Sequence, residues 1–299
     1  MSNRKSHTNN TKQPDVSSSS STLLCEIYNT IRPPVDYCGR RIIFGPAVFK
    51  ITLAFIIIIV GSILKTLGVQ PSSYFSSKNN IFNVYFAKFA WGWTLGLLML
   101  FVPLTLITLN KNFNYYEIIT RHLVRLLIAT VVWYIITNLF VYIDWRTGIC
   151  NHNKMKQVSR RACEKAGHEW EEGFDFSGHI FLLLYSILIM NEEIRLYDKA
   201  TGKVDEAQKV EQNIGDTLSN ITNQYSTLFD IITRVLYVLI AALTILWEFI
   251  LLSTALYFHE TFDKMAAGVI AVFFWFITYR VWYTSNRSSS ILRPLSPRN

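Results

Sequence analysis

FKITLAFIIIIVGSIL, residues 49–64, carries a single charge and has no polar face. A helix on the surface of a soluble protein keeps an apolar stripe on one side and polar residues on the other. This stretch is apolar all round, and so is WGWTLGLLMLFVPLTLITL at 91–109. The whole chain follows suit, with 51% hydrophobic, 14% aromatic and 17% charged residues, the apolar ones gathered in blocks. Blocks of this length read as membrane spans. Six are expected, at 48–67, 85–109, 122–143, 174–190, 231–258 and 264–283. The fold class is therefore all-α, a polytopic membrane protein with six transmembrane helices.

Flanking this domain (45–283) are a polar, serine-rich tail at 1–44 and a second tail at 284–299. Both are expected to be disordered, because neither can bury enough apolar surface to offset the entropy of ordering. The N-terminal tail has no apolar core of the kind a secretory signal needs. Arg32, Arg40 and Arg41 precede the first span, and Arg280, Arg287, Arg293 and Arg298 mark the other end. An even number of spans puts both basic ends on one side, and the positive-inside rule makes that side the cytosol. Loops 68–84, 144–173 and 259–263 then face the far side, while 110–121 and 191–230 are cytosolic. The net charge of +8 follows from this topology and from attraction to an anionic leaflet, so no nucleic-acid partner is expected. Cys150 and Cys163 share the second far-side loop, where an oxidising lumen permits a disulfide.

Chain direction also places two histidines on the far face. His179 stands at the entrance of the fourth span and His259 at the exit of the fifth. A metal site needs a further ligand and the usual close spacing. The chain has no HxH or HxxxH, although His152 and His168 lie in the neighbouring loop, so neither a metal nor a cofactor is expected. Phosphoryl transfer fits better, with one imidazole as nucleophile and the other as general acid. A histidine pKa near ambient pH suits both roles. Ser177 and Gly178, at the start of the fourth helix, offer donors to phosphate oxygens. Lys78 and Lys88 are candidate phosphate cations, and equally candidate interfacial anchors. Glu248 lies in mid-span, three turns before His259, either as a functional group or paired with another span.

The SGH at 177–179 resembles the middle motif of the lipid phosphate phosphatases, and HETFD at 259–263 resembles their final HxxxD. That likeness makes His259 the nucleophile, Asp263 its orienting carboxylate and His179 the acid. The chain departs from the pattern in carrying Ser253 where that family has arginine. A longer resemblance runs through GSILKTLGVQPSSYFSSKNNIFNVYFAKFAWGWT, TGIC, GFDFSGHIFLLLYSILIMNEEI, STALYFH and WFITYRVWY. These stretches are similar to the fat storage-inducing transmembrane proteins of the endoplasmic reticulum, tied to lipid-droplet formation. The resemblance implies six spans, cytosolic tails and a lumenal site built on His179 and His259. It also implies cleavage of fatty acyl-coenzyme A to acyl 4′-phosphopantetheine and adenosine 3′,5′-bisphosphate. Two other readings stay open. One is a non-enzymatic scaffold that binds diacylglycerol or triacylglycerol. The other is a transporter, which calls for interrupted helices and more midplane polar groups.

Overall fold

The computed structural model describes residues 45–69, 71–109, 115–151, 160–171, 173–211 and 222–283. The expected tails, with Cys25, Cys38 and His152, lie outside them. Helices α1 (Ala47–Thr66), α2 (Ala90–Leu109), α3 (Tyr115–Thr147), α4 (Arg160–Lys165), α5 (Gly178–Glu211), α6 (Thr222–Tyr257) and α7 (Thr261–Trp275) follow in order. A 3-10 turn (Tyr74–Ser76) and a π-helical stretch (Phe82–Ala87) join α1 to α2. A second π-helical stretch (Phe276–Trp282) prolongs α7.

Among the described residues, four helices are long and apolar enough to cross a membrane: Ala47–Thr66, His122–Thr147, Ile231–Tyr257 and Thr261–Trp282. The other two expected spans differ from the sequence reading. The stretch 85–109 is broken by a turn at 88–89, and its regular helix starts at Ala90. The stretch 174–190 is helical only from Gly178. From there to Met190 it measures roughly 20 Å, short of a hydrocarbon core of about 30 Å.

The physical reason for α5 lies in its surroundings. Residues 180–191 are all buried, with α2, α6 and α7 packed around them. A helix apolar on every side belongs in an interior, and α5 is the core of the bundle. Helix α1 packs on α6 and α7, and α3 on α2. The outer faces carry exposed Ile56, Ile59 and Val60 on α1, Leu127, Val131 and Ile135 on α3, and Val235, Val238 and Leu239 on α6. A belt this apolar is uncommon on a water-facing surface, and it suits a hydrocarbon solvent.

Several charged groups inside the bundle are paired with opposite charges. Lys50 of α1 donates to Glu248 of α6 at 2.6 Å, which accounts for the mid-span carboxylate. Glu193, expected at the end of a span, is fully buried. It receives two bonds from Arg125 (3.1 and 3.0 Å) and one from the Tyr279 hydroxyl (3.0 Å), and it meets His122 Nδ1 at 3.0 Å. Burial alone would raise this carboxyl, but the Arg125 charge and the His122 hydrogen bond outweigh it. Together they hold the group well below the usual carboxylate range. Glu192 pairs with Arg280 at 2.6 Å. These partners let α5 continue past its apolar half, so that much of the expected loop 191–230 is helix. The segment 115–121 of the expected loop 110–121 likewise belongs to α3.

Candidate active site

The segment between α3 and α5 is stapled before it reaches the site. Strands β1 (Ile149–Cys150) and β2 (Trp170–Glu171) pair antiparallel, Ile149 opposite Glu171 and Cys150 opposite Trp170. A disulfide joins Cys150 to Cys163 of α4. Two glycines allow close approach here. A Cβ on Gly148 would strike the Trp170 ring, and one on Gly173 would strike Thr147. The Phe174 N–H then donates to Thr147 Oγ1 at 2.9 Å. The chain is thus pinned to the end of α3 one residue before Asp175.

From there α5 begins. Ser177 is wholly buried, and its hydroxyl accepts from the Ile180 N–H at 3.4 Å in the manner of an N-cap. Gly178 borders open space, with no protein atom near where a Cβ would stand. His179 follows in the first turn of α5 and is half-buried.

His259 lies in the turn that joins α6 to α7. Its Nδ1 is 3.1 Å from Asp175 Oδ2, with both side chains partly exposed. It is also close enough to His179 for the charge on one ring to bear on the other. The structure therefore brings together Asp175, Ser177, Gly178, His179 and His259, from two elements distant in sequence. Asp263, the carboxylate expected to orient His259, sits in the first turn of α7, where a negative charge favours a helix N-terminus. Asp175 is a carboxylate paired with the His259 ring. Lys78 and Lys88 are exposed, and no hydrogen bond or ion pair links either side chain to this group.

Three residues near the site carry no sequence expectation. Asp175 had a signal available, since it stands four residues before His179 in the same stretch. Lys65 of α1 donates to the His259 carbonyl at 2.6 Å and to Glu260 Oε1 at 3.3 Å. Lys264, fully buried, donates to the Ala255 carbonyl at 2.8 Å. The two lysines read in sequence as residues near span ends, because their partners are backbone carbonyls, which no motif encodes.

With Nδ1 engaged by a carboxylate, the His259 ring presents Nε2 as its free nucleophilic nitrogen. A second imidazole, His179, lies within electrostatic reach of it, and Gly178 starts a helix whose N-terminus favours anions. This set of groups suits transfer of a phosphoryl group.

Comparison with known proteins adds an independent line. The model of a family described as fat storage-inducing transmembrane protein matches residues 71–279. A Xenopus tropicalis protein named acyl-coenzyme A diphosphatase FITM2 is 35% identical over 246 residues, covering 81% of this chain and 82% of the relative. Its Xenopus laevis counterpart is 37% identical over 242 residues, 79% of this chain and 80% of its own. The human protein of that name is 33% identical over 231 residues, 75% of this chain and 79% of its own. No solved structure matches the chain.

Proposed function

This chain belongs to the fat storage-inducing transmembrane protein family, and we propose that it is an acyl-coenzyme A diphosphatase of the endoplasmic reticulum membrane. The relatives' names supply the substrate class. The observation that carries the mechanism is the His259–Asp175 pair beside His179.

In this reading His259 Nε2 attacks one phosphorus of the diphosphate. The P–O bond to the bridging oxygen breaks, and His179 gives its proton to the departing phosphate. Asp175 holds the ring in the Nδ1–H tautomer and stabilises the charge it gains. Water, deprotonated by His179, then cleaves the phosphohistidine. The sum is one diphosphate and one water giving two monophosphates, acyl 4′-phosphopantetheine and adenosine 3′,5′-bisphosphate. Such transfers depend mainly on positioning and charge stabilisation, and backbone N–H groups around Gly178 supply part of it.

The wider arrangement belongs to the same proposal. Six segments lie in the membrane, with α5 sheathed by its neighbours, both tails in the cytosol and the histidines facing the lumen. The acyl chain lies among the helices while the nucleotide stays in water. The activity supports lipid-droplet formation by editing acyl-coenzyme A at the membrane. The test is release of adenosine 3′,5′-bisphosphate from oleoyl-coenzyme A by purified protein in liposomes. His179→Ala and His259→Ala should each lose about 10²-fold or more in kcat while unfolding at the wild-type temperature. Equal cleavage by all three proteins would contradict the mechanism. Absence of cleavage by wild type, together with tight triacylglycerol binding, would favour the non-enzymatic scaffold.

A further inference from the structure

His259 has a φ of +51°, and among the described residues it is the one non-glycine with a positive φ. Helices often end on a residue in this left-handed conformation, normally glycine or asparagine. A non-glycine residue there is uncommon, although histidine enters this region more readily than most, and neighbouring contacts help to hold it.

Two lysines help to hold it. Were α6 to continue, the Ala255 carbonyl would accept the His259 N–H. Instead Lys264 Nζ takes that carbonyl at 2.8 Å, and Lys65 Nζ takes the His259 carbonyl itself at 2.6 Å. Both cations sit at a helix C-terminus, where positive charge is favoured. The backbone contacts that aim them are built from glycine. A Cβ on Gly61 would come within 2.9 Å of Ala255, so α1 lies directly on the last turn of α6. Lys65 is one helical turn beyond Gly61 and on the same face. A Cβ on Gly268 would meet Ile58 at 3.3 Å, and Lys264 is one turn before Gly268 on that face of α7.

We propose that Lys65 and Lys264 are positioning residues that cap α6 from two sides and hold His259 left-handed, so that its ring meets Asp175. This assignment rests on the diphosphatase reading for its kinetic consequence but not for its structural one. Loss of either lysine lets the turn relax toward ordinary backbone angles, carrying the ring off Asp175. Misplacement of a reacting group by about 1 Å can cost up to about a hundredfold in rate. The loss falls on kcat, because the lysines are engaged with backbone and not with substrate.

The experiment uses full-length protein carrying Lys65→Met, Lys65→Arg or Lys264→Met. Kinetics on oleoyl-coenzyme A are read beside the 15N spectrum of the histidine rings, with the His259 signal identified by its loss in His259→Ala. The expected result is a kcat lowered about tenfold or more in both methionine variants, with KM within about twofold. Lys65→Arg recovers most of the loss, and in both methionine variants the His259 Nδ1 signal moves toward its position in Asp175→Asn. A raised KM with kcat kept would make the lysines substrate ligands and overturn the proposal. So would an unmoved Nδ1 signal. Should Lys264→Met fail to fold, Lys65, partly exposed, decides alone. If wild type cleaves nothing, the activity reading falls, and the ring signal still decides the positioning claim.

Discussion

Asp175 and Asp263 each stand close in sequence to one of the two histidines, and the ring of His259 is bonded to Asp175. Asp175→Asn removes the charge while keeping the shape, so its kcat on oleoyl-coenzyme A should fall by about 10–10². Asp263→Asn should cost less, and the reverse order would return orientation of the ring to Asp263. The two histidines were legible in the sequence because span direction alone carries them to one face. The role of Asp175 was not legible, since its partner lies 84 positions away (259 − 175) and packing of α5 against α6 closes that gap. The left-handed turn at His259 was hidden for a related reason: a histidine at a helix end announces nothing about φ.

At the scale of elements, α5 is held at its start and again midway by groups outside it. The segment leading into it is tied by the Cys150–Cys163 disulfide, which closes a loop with a sequence separation of 13. Chain-entropy arguments assign about 3 kcal/mol to a loop near that size. Cys163→Ser should therefore lower the unfolding temperature measured in detergent, and reductant should do the same to wild type but not to the variant. Midway along α5, where its buried half ends, Glu193→Gln strands the buried Arg125, a change that costs about 3–5 kcal/mol for a buried pair. The pH dependence has a definite sign. A carboxyl held below its ordinary value of 4.5 contributes its full stabilisation above that value and loses it as pH falls through the depressed folded value. Unfolding temperature should thus begin to lose this contribution as pH falls below 4.5 and go on losing it into stronger acid, and Glu193→Gln should flatten that acid limb. A variant that keeps the wild-type acid limb would show that Glu193 does not set it. The sequence predicted helices at six places, but not that the fourth is the core. Its short apolar length and its two glutamates resembled a span reaching the interface, but side chains of α3, of the C-terminal π-helical stretch and Arg195 of α5 itself pair with them.

For the whole molecule, the outward apolar belt and the long apolar helices mark a membrane protein. An N-glycan acceptor placed in the 74–80 loop should be modified in microsomes, whereas acceptors in either tail should not. The opposite pattern would invert the topology. The all-α membrane class was readable from the apolar blocks, because bilayer thickness acts on sequence directly. The pairing of Lys50 with Glu248 was not, since it depends on how α1 lies against α6. The account as a whole turns on His259 forming a bond to phosphorus. The most direct measurement is a rapid quench of the protein with oleoyl-coenzyme A carrying 32P in its diphosphate, followed by mapping of acid-labile, base-stable label. The account predicts label on the peptide containing His259, retained longer in His179→Ala and absent from His259→Ala. Diphosphate cleavage that persists in His259→Ala, or label carried by another residue, would contradict it.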